Sequence, residues 1–499
     1  MNQRPYVLAI DQGTTNTKVV AVDALGRVVA RASRAVNVTY PQPAWVELDA
    51  TQVWQSVLEA CVEVLSQCKG VAPVAVGVSN QRESVVAWDR HTGTPLGPVV
   101  IWQCRRTAAD CESLAALNVG KTVHEKTGLA LDPLFSATKM CWLLDHIPNG
   151  HARAEAGEIA LGTIDSWLLW NLTAGAVHAT DPSNASRTQL FGLRERAWLP
   201  ELLKIFNVPE QALPQVKATN ALFGNTSAAC GLPAGVPIHA LFADSHAALF
   251  AQGGYAPGAV KATYGTGSSL LAPTKEFVLS QKGISSTIAW QLAGQPCAFS
   301  LEGNIAVSGA AMQWLAQLLF TGDEEGVKKL ARLAATVPDS EGVYLVPAFV
   351  GLGAPHWDSE ARGLISGLTR GSTAAHVSRA CLESLAYQVK DVLDVLEFEN
   401  HAPFEAVFAD GGASANDMLM QFQADILGRK VVRARNADLS AMGAAYMAGL
   451  GVGLWESLEQ LATLSQERDS FEPQMGQQQR ANLVAGWKAA LGRARSAPA

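Results

Sequence analysis

The chain has 499 residues, of which 48% are hydrophobic and 17% charged, and its formal net charge is −7. This length predicts two or three domains, and the composition is typical of a folded protein with sizeable buried cores. The negative charge disfavours nucleic acid or an anionic membrane as a partner, and no apolar run reaches the ~18 residues that a membrane span needs. Eight scattered cysteines without a Cys-x-x-Cys pair favour reduced thiols in a cytoplasmic protein.

The first predicted elements are strands joined by short polar turns. The apolar run "YVLAI" is followed by the turn "DQGTT", by the strand "TKVVAV" and, after another turn, by "RVVARASRAV". Asp49 then predicts a helix N-cap, and the helix extends to about Cys68. The strands "VAVGVS" and "SVVAWD" follow, the second ending in the turn "RHTGTP". Strands mixed with helices in this order predict an α/β fold.

The second half of the chain repeats this order of elements. The segment "GAVKATYGTGSSLLAP" predicts strand, turn and strand, and "EAVFADGGASANDMLMQFQADILG" predicts strand, turn and helix. We place the boundary between two domains, residues 1–252 and 253–499, in the glycine-rich segment 251–258. A polar tail follows after about Gln466. Two similar halves suit closure on one shared ligand.

Three predicted turns, at residues 11–15, 264–268 and 410–414, combine glycine with hydroxyl or carboxylate side chains. Glycine leaves backbone N–H groups open, and such groups bind phosphate oxygens. Asp11 at the end of its strand suits a hydrated Mg²⁺, which commonly takes one or two carboxylates. Each turn alone is also typical of an ordinary hairpin. Because the sequence lacks Gly-x-x-x-x-Gly-Lys-Ser/Thr, it is not a P-loop protein.

Ten motifs, taken in chain order, resemble the FGGY carbohydrate kinases of the actin–hexokinase–chaperone ATPase superfamily, and within them the glycerol kinase branch. The resemblance extends from Tyr6 to about Trp455. It implies two ribonuclease H-like lobes, each with a mixed five-stranded sheet, around a nucleotide cleft. It also implies transfer of the γ-phosphate of ATP, with Mg²⁺, to a primary hydroxyl of a small polyol, with glycerol as the leading acceptor. The motifs are "DQGTT", "PAWVELD", "SNQRES", "IWQCRRTA", "GLALDPLFSATKMCWLLDH", "DPSNASRTQLF", "TYGTG", "PAFVGLGAPHWDSEARG", "CLESLAYQ" and "DGGASANDMLMQFQADILG".

The resemblance implies roles for individual residues of the nucleotide site. Asp11 would hold the magnesium ion. Lys18 stands where this branch usually carries Arg, so it keeps the positive charge but loses bidentate geometry at a phosphate. The other implied contacts are Thr14, Thr15 and Asn16 with the phosphates, Thr266 and Gly267 with the phosphates from the second lobe, Gly309 and Gln313 in the nucleotide pocket, and Gly412 and Asn416 against the adenosine.

Asp244 is the leading candidate for a general base. It ends an apolar strand, and a carboxylate there takes the proton of an alcohol nucleophile as the new bond forms. Without the resemblance, an ordinary helix N-cap is the competing interpretation. The resemblance further implies that Arg82 and Glu83 bind adjacent hydroxyls and that Trp102 packs on the carbon chain of the acceptor. Taken alone, an Arg-Glu pair is more often a solvated surface pair, and a lone Trp is more often a core residue.

Three of the seven implied acceptor contacts depart from the pattern of glycerol kinases. Leu134 stands in place of Tyr, Ser245 in place of Gln, and Ser269 in place of Phe. These smaller side chains predict a wider pocket, so a tetritol, a pentitol or a ketopentose such as xylulose is the alternative acceptor. His246 is a candidate hydrogen-bond partner for an extra hydroxyl, and a core position is the alternative for it.

Two functions of another class compete with a kinase. An ATP-driven switch would not need Arg82, Glu83, Trp102 and Asp244 together. A non-catalytic ATP-binding scaffold is disfavoured because Asp11 and Asp244 are both present. A polyol-stimulated ATPase assay separates the three functions.

Closure of the two lobes is expected because water competes with the acceptor for the phosphoryl group. We expect the movement about segment 251–258. The resemblance also implies a homodimer or homotetramer.

Overall fold

The computed structural model describes residues 5–69, 71–255, 258–464 and 467–496. The strands of the first half are β1 (Tyr6–Gln12), β2 (Asn16–Asp23), β3 (Val28–Ala35), β4 (Glu47–Leu48), β5 (Ala75–Asn80), β6 (Val85–Asp89), β7 (Val99–Val100), β8 (Ile159–Thr163), β9 (Ala179–Thr180), β10 (Phe191–Gly192), β11 (Ala197–Trp198), β12 (Gln215–Val216), β13 (Gly224–Asn225) and β14 (Pro237–Ala243). Those of the second half are β15 (Ala259–Tyr264), β16 (Ser268–Thr274), β17 (Ser285–Gln291), β18 (Cys297–Ile305), β19 (Tyr344–Val346), β20 (Leu364–Ser366), β21 (Ala406–Asp410), β22 (Lys430–Ala434) and β23 (Arg468–Phe471).

The helices lie between these strands and cover the sheets. In the first half they are α1 (Ala50–Gln67), α2 (Ala108–Ala116), α3 (Gly120–Thr127), α4 (Ser136–Asp145), α5 (Gly150–Glu155), α6 (Ile164–Leu172), α7 (Pro182–Ala185), α8 (Pro200–Phe206) and α9 (Asp244–Ala251). In the second half they are α10 (Gly309–Leu319), α11 (Gly326–Ala334), α12 (Ala374–Asn400), α13 (Asp417–Leu427), α14 (Leu439–Gly451), α15 (Leu458–Ala462) and α16 (Gln477–Ala494). Across the described ranges, no helix is long and apolar enough to cross a membrane.

Each half is built on a mixed sheet of the same topology. The order is β13-β14-β5-β1-β2-β3 in the first half and β17-β18-β16-β15-β21-β22-β23 in the second. Strands β3, β2 and β1 are antiparallel neighbours, and β5 and β14 continue parallel to β1. Strands β18, β16, β15, β21 and β22 repeat this arrangement. The predicted α/β fold is therefore confirmed. The sheets have six and seven strands, because β13, β17 and β23 extend a common five-stranded pattern.

The local sequence explains why these elements form where they do. Nearly all of β1 and β5 is buried, as expected for apolar strands at the centre of a sheet that is covered on both faces. Asp49 caps α1, since its side chain accepts hydrogen bonds from the backbone N–H groups of Thr51 and Gln52. The predicted helix is thus confirmed to within a residue of its expected C-terminal end.

The predicted polar tail is wrong. Beyond residue 466 the chain adds β23 to the edge of the second sheet and then forms α16. Trp487 of α16 is 1% exposed and stacks on Tyr387 with ring centroids 5.1 Å apart. Few apolar residues are enough here, because Trp487, Ala490 and Leu491 lie on one face of the helix, with the partly buried Leu483, Val484 and Ala494 packed against the same core.

The two halves share a hydrophobic core where α14 of the second half packs against α9 and the first sheet. The packing is close: a Cβ on Gly443 would lie 1.9 Å from the carbonyl oxygen of Ala247, and one on Gly77 would lie 2.4 Å from that of Ala444. The predicted boundary between residues 252 and 253 stays a prediction. Of the proposed hinge segment 251–258, residues 256 and 257 lie outside the described residues.

Candidate active site

Two hairpin turns lie at corresponding positions of the two sheets, one in each half. In the β1–β2 turn, the N–H of Gly13 donates to the carbonyl of Asn16 at 2.9 Å, and in the β15–β16 turn Gly265 donates to Gly267 at 2.9 Å. A Cβ on Gly267 would lie 2.5 Å from the carbonyl oxygen of Ile305, so only glycine fits this position. The predicted turns at residues 11–15 and 264–268 are thus corresponding hairpins of the two halves, and the third predicted turn, at residues 410–414, lies against the second, since a Cβ on Gly411 would lie 2.6 Å from the carbonyl oxygen of Tyr264.

The first hairpin also contacts the predicted acceptor region. Trp102 Nε1 donates to Thr14 Oγ1 at 2.9 Å, which ties the indole ring to the turn. Thr15 and Asn16 are exposed at the tip of the turn, and Thr14 is half-buried. Their positions leave the turn accessible to a ligand while Trp102 fixes one of its sides.

Helix α10 begins beside the second hairpin. Its first residue, Gly309, donates its N–H to the carbonyl of Gly265 at 2.9 Å, and a Cβ there would lie 2.6 Å from the same oxygen. Gln313 follows one turn later and is exposed. Thr266 is exposed and lies between Gly265 and Gly267 in the second hairpin. Its carbonyl accepts the N–H of Ala310 at 3.0 Å. Four predicted nucleotide contacts thus lie next to each other on the second hairpin and the start of α10: Thr266, Gly267, Gly309 and Gln313.

Gly412 and Asn416 lie at the start of α13, after the end of β21. A Cβ on Gly412 would meet nothing within 4 Å, so its backbone borders open space. Asn416 caps α13, because its side-chain oxygen accepts the N–H of Leu419 at 3.0 Å. Lys18 lies apart from the tip of the first hairpin, 3.7 Å from Asp438, and donates to the carbonyl of Ala437 at 3.3 Å. In this arrangement Lys18 bridges the two halves.

Asp11 and Asp244 provide two carboxylates between the halves. Burial and then the charge of Asp244 raise the pKa of Asp11 to about 7, against the opposing effect of Lys18. Asp244 is the first residue of α9, and its Oδ1 accepts the N–H of Ser245 at 2.6 Å. Burial raises the pKa of Asp244, which Arg82 partly offsets. Two carboxylates in such surroundings favour a cation or a proton donor nearby.

Arg82 and Glu83 lie beside Asp244, on the short loop between β5 and β6. Arg82 Nε is 3.3 Å from Asp244 Oδ1, and Glu83 Oε1 accepts from Arg187 Nε at 2.7 Å. Glu83 has a φ of +62°, an uncommon backbone conformation for a glutamate that the buried contacts of its carboxylate hold in place. The pair is therefore not a solvated surface pair.

Leu134, Ser245 and Ser269, the three residues that depart from the glycerol kinase pattern, lie in the loop before α4, in α9 and on β16. The carbonyl of Leu134 accepts from the buried Lys139 Nζ at 2.7 Å, and that of Ser245 accepts from Lys261 Nζ at 3.1 Å. Ser269 lies on β16 opposite Asn304, and its Oγ has no hydrogen-bond partner among the described residues. These three residues are half-buried, although the Oγ atom of Ser269 is itself buried.

His246 is fully buried, and within the described chain neither of its ring nitrogens has a hydrogen-bond partner. Burial, followed by the charge of Arg82, lowers its pKa well below the usual value. The imidazole is therefore neutral at physiological pH. Of its two predicted positions, the buried one is confirmed.

Comparison with known proteins decides the family. The N-terminal domain model of the FGGY family of carbohydrate kinases matches residues 6–251, and the C-terminal domain model matches residues 260–452. The chain belongs to this family of carbohydrate kinases. A glycerol kinase of Trichlorobacter lovleyi is 46% identical over 493 residues, which are 98% of this chain and 99% of that protein.

Solved structures agree with this assignment. The glycerol kinase of Plasmodium falciparum, solved with ADP, superposes with a TM-score of 0.92 at 29% identity, covering 99% of each chain. A xylulose kinase of Rhodospirillum rubrum superposes with a TM-score of 0.86 at 25% identity, covering 98% of each chain. The predicted family and the predicted kinase class are confirmed, and membership implies ATP as the phosphoryl donor. All eight cysteines of this FGGY kinase are free, as expected.

Sequence reasoning missed three charged residues of this FGGY kinase that lie against the site. Arg187 precedes β10, Lys261 lies on β15 and Glu302 on β18, and all three are buried. A signal was present for two of them. Lys261 in "GAVKATY" and Glu302 in "AFSLEG" interrupt apolar strands, and a charge in such a strand is retained only where it is paired.

Proposed function

We propose that this FGGY kinase transfers the γ-phosphoryl group of ATP to a primary hydroxyl of glycerol, giving glycerol 3-phosphate. The identity of 46% to a glycerol kinase supports glycerol as the acceptor. The observation that carries the proposal is the meeting of Asp244 with Arg82 and Glu83, because Arg82 Nε lies 3.3 Å from the Asp244 carboxylate. On this proposal Asp244 as the base, Arg82 as the hydrogen-bond donor and Glu83 as the acceptor would act together, near Asp11 of the first predicted turn.

On this proposal the nucleotide phosphates lie between the two hairpins. The first hairpin would contact them through Thr14, Thr15 and Asn16, and the second through Thr266 and Gly267. The nucleoside would lie along α10 and the start of α13, against Gly309, Gln313, Gly412 and Asn416. Lys18 would act on the phosphates only after leaving Asp438, which lies 3.7 Å away.

Asp11 fits the role of the Mg²⁺ ligand. Its carboxylate is partly buried, and its pKa is raised to about 7, first by burial and then by Asp244, so a nearby cation relieves an unfavourable charge. A bound Mg²⁺ would neutralise charge on the phosphate oxygens. The protein would then supply alignment of the reactants and exclusion of water.

In the acceptor site, Asp244 would take the proton from the attacking hydroxyl. Arg82 would donate to one hydroxyl of the acceptor and Glu83 would accept from its neighbour, while the ring of Trp102 would pack on the carbon chain. The raised pKa of Asp244 suits this role, because a more basic carboxylate drives proton transfer further.

The test is a coupled ADP-release assay with Mg-ATP and a series of acceptors: glycerol, erythritol, the pentitols and the common pentuloses. We expect glycerol to give the highest kcat/KM. Asp244→Asn should lower kcat by about 10²- to 10⁴-fold, the range that a general base contributes. Asp339→Asn, an exposed aspartate of the second half, is the matched control and should keep wild-type rates. Full turnover in Asp244→Asn would exclude it as the base.

A longer acceptor is the second candidate function. Leu134, Ser245 and Ser269 are half-buried around the site, and the Ser269 hydroxyl has no partner among the described residues. Side chains smaller than the Tyr, Gln and Phe of the glycerol kinase pattern would leave room for a longer substrate with a further hydroxyl. A tetritol, pentitol or pentulose that exceeds glycerol in kcat/KM would establish this candidate, and Ser269→Phe should then shift the preference back toward glycerol.

We also propose a cytoplasmic location, consistent with the eight free cysteines. A homodimer or homotetramer remains the expected assembly for a member of this family. Analytical ultracentrifugation of the purified chain measures the assembly directly.

A further inference from the structure

Behind the acceptor residues lies a chain of alternating charges that joins the two halves. Glu83 Oε1 accepts from Arg187 Nε at 2.7 Å, Arg187 Nη1 lies 2.7 Å from Glu302 Oε2, and Glu302 Oε1 accepts from Arg82 Nη1 at 2.5 Å. Glu83, Arg82 and Arg187 belong to the first half. Glu302 is the member that the second half supplies, from strand β18.

The exposed fraction of each side chain shows which charged residues of this chain a ligand can reach. The side chain of Arg82 is 11% exposed, whereas those of Arg187 and Glu302 are 0% exposed. Glu302 is therefore placed to act on the acceptor only through Arg82, whose Nη1 it contacts while Nε of the same guanidinium lies near Asp244.

The surroundings keep Glu302 negatively charged. Burial opposes its ionisation, but Arg187 and Arg82 outweigh this and lower its pKa to about 2. Two further titratable groups lie near Glu302: the ring of His246, which burial keeps neutral, and Lys261, which lies on the same face of the second sheet. A charged carboxylate at 2.5 Å from Arg82 Nη1 forms a strong hydrogen bond with a fixed direction.

Besides Glu302, two carboxylates lie near the guanidinium of Arg82, those of Asp244 and Glu83. Arg82 Nε lies 3.3 Å from Asp244, and a guanidinium that turned fully toward Asp244 would cover the base and withdraw its donors from the acceptor. Glu302 holds Nη1 of the Arg82 guanidinium in place. The other N–H groups of Arg82 therefore stay available for the acceptor beside Asp244.

We propose that Glu302 is a positioning residue that fixes Arg82 for acceptor binding, and that acceptor affinity therefore depends on the second half lying against the first. The inference rests on the proposed function, since it assigns the acceptor to Arg82. It predicts that loss of the Glu302 charge weakens binding of the acceptor and leaves binding of the nucleotide unchanged, because the predicted nucleotide contacts lie on the hairpins, on α10 and at the start of α13.

Glu302→Gln is the direct test, because it keeps the shape of the side chain and removes its charge. We expect the KM for glycerol to rise about 10- to 100-fold, the factor that a charged hydrogen bond contributes, with a smaller change in kcat. The KM for ATP should stay within about twofold of wild type. If Glu302→Gln does not fold, Glu302→Asp is measured in the same way, because the shorter carboxylate keeps the charge and loses the contact.

Glu383→Gln is the matched control. Glu383 is likewise a buried glutamate of the second half that accepts from an arginine, Arg379 Nε at 2.7 Å, but it contacts no predicted acceptor residue. An unchanged glycerol KM in Glu302→Gln, or equal losses for both substrates in Glu302→Gln and Glu383→Gln, would overturn the inference. A wild-type protein that phosphorylates no acceptor would instead refute the proposed function, and the positioning role would fall with it.

Discussion

Polar side chains with little solvent exposure occur in two states in this protein, charged and paired or uncharged. Those at the site, such as Arg82 and Glu83, are paired with charges from both halves, whereas others are half-buried, uncharged and paired with backbone groups. His178 is of the second kind: its ring lies 5.1 Å from that of Trp88, and Nε2 lies 3.0 Å from the carbonyl oxygen of Leu161. Burial, with a smaller effect of Arg90, lowers its pKa from 6.5 to about 3.

This burial of a neutral histidine predicts how stability depends on pH. Below pH 6.5 the unfolded chain binds a proton at His178, and the folded chain does not bind it until about pH 3. The free energy of unfolding should therefore fall by about 1.4 kcal/mol for each pH unit below 6.5 on account of this residue. Urea unfolding at pH 7.5, 6 and 5 should show a shallower decline in His178→Gln, while the exposed His91→Gln keeps the wild-type decline. Equal declines in both variants would contradict the prediction.

At the scale of elements, the close approach of α14 to α9 determines how the halves are joined. A Cβ on Gly443 would lie 1.9 Å from the Ala247 carbonyl oxygen, and that oxygen belongs to a helix backbone that cannot move alone. Asp244, the proposed base, begins α9. The position of the base therefore depends on packing by a helix of the other half.

Gly443→Ala should destabilise the protein by about 3 kcal/mol, as overpacking against a rigid backbone does. The midpoint of urea unfolding measures this loss. Gly492→Ala is the control, because Gly492 lies in α16 with nothing within 4 Å of an added Cβ. It should be neutral or stabilising by up to about 1 kcal/mol, since alanine is the better helix former. Equal stability of the two variants would show that α14 can move away from α9.

At the scale of the whole molecule, two halves of the same topology each carry one hairpin that we propose binds phosphate. The pair of Arg82 and Glu302, 2.5 Å apart, joins the two halves. Closure on both substrates would exclude water, which otherwise competes as the nucleophile.

Small-angle scattering tests this closure. Asp244→Asn should slow turnover enough for ATP and glycerol to be measured together, and we expect its radius of gyration to fall when both are added. Either substrate alone should give a smaller change, because the two halves then share fewer contacts through the ligand. No compaction with both substrates would contradict closure.

The sequence by itself determined the local elements and the family. The strands around the first hairpin, the helix capped by Asp49 and the glycine-bearing turns follow from neighbouring residues, because propensity, capping and turn geometry act over a few positions. The candidate residues Asp11, Arg82, Glu83 and Asp244 were found in the same way, through motifs that stand in short continuous stretches.

Only the tertiary structure decided which charges meet and which helices join the halves. Glu302 is 220 residues from Arg82, and Arg187 is 104 residues from Glu83, so no local pattern relates them. The place of α14 on the first sheet and the burial of Trp487 in a polar segment depend likewise on surfaces formed elsewhere in the chain. Burial and long-range pairing are properties of the folded surface, and that surface exists only once distant strands have assembled.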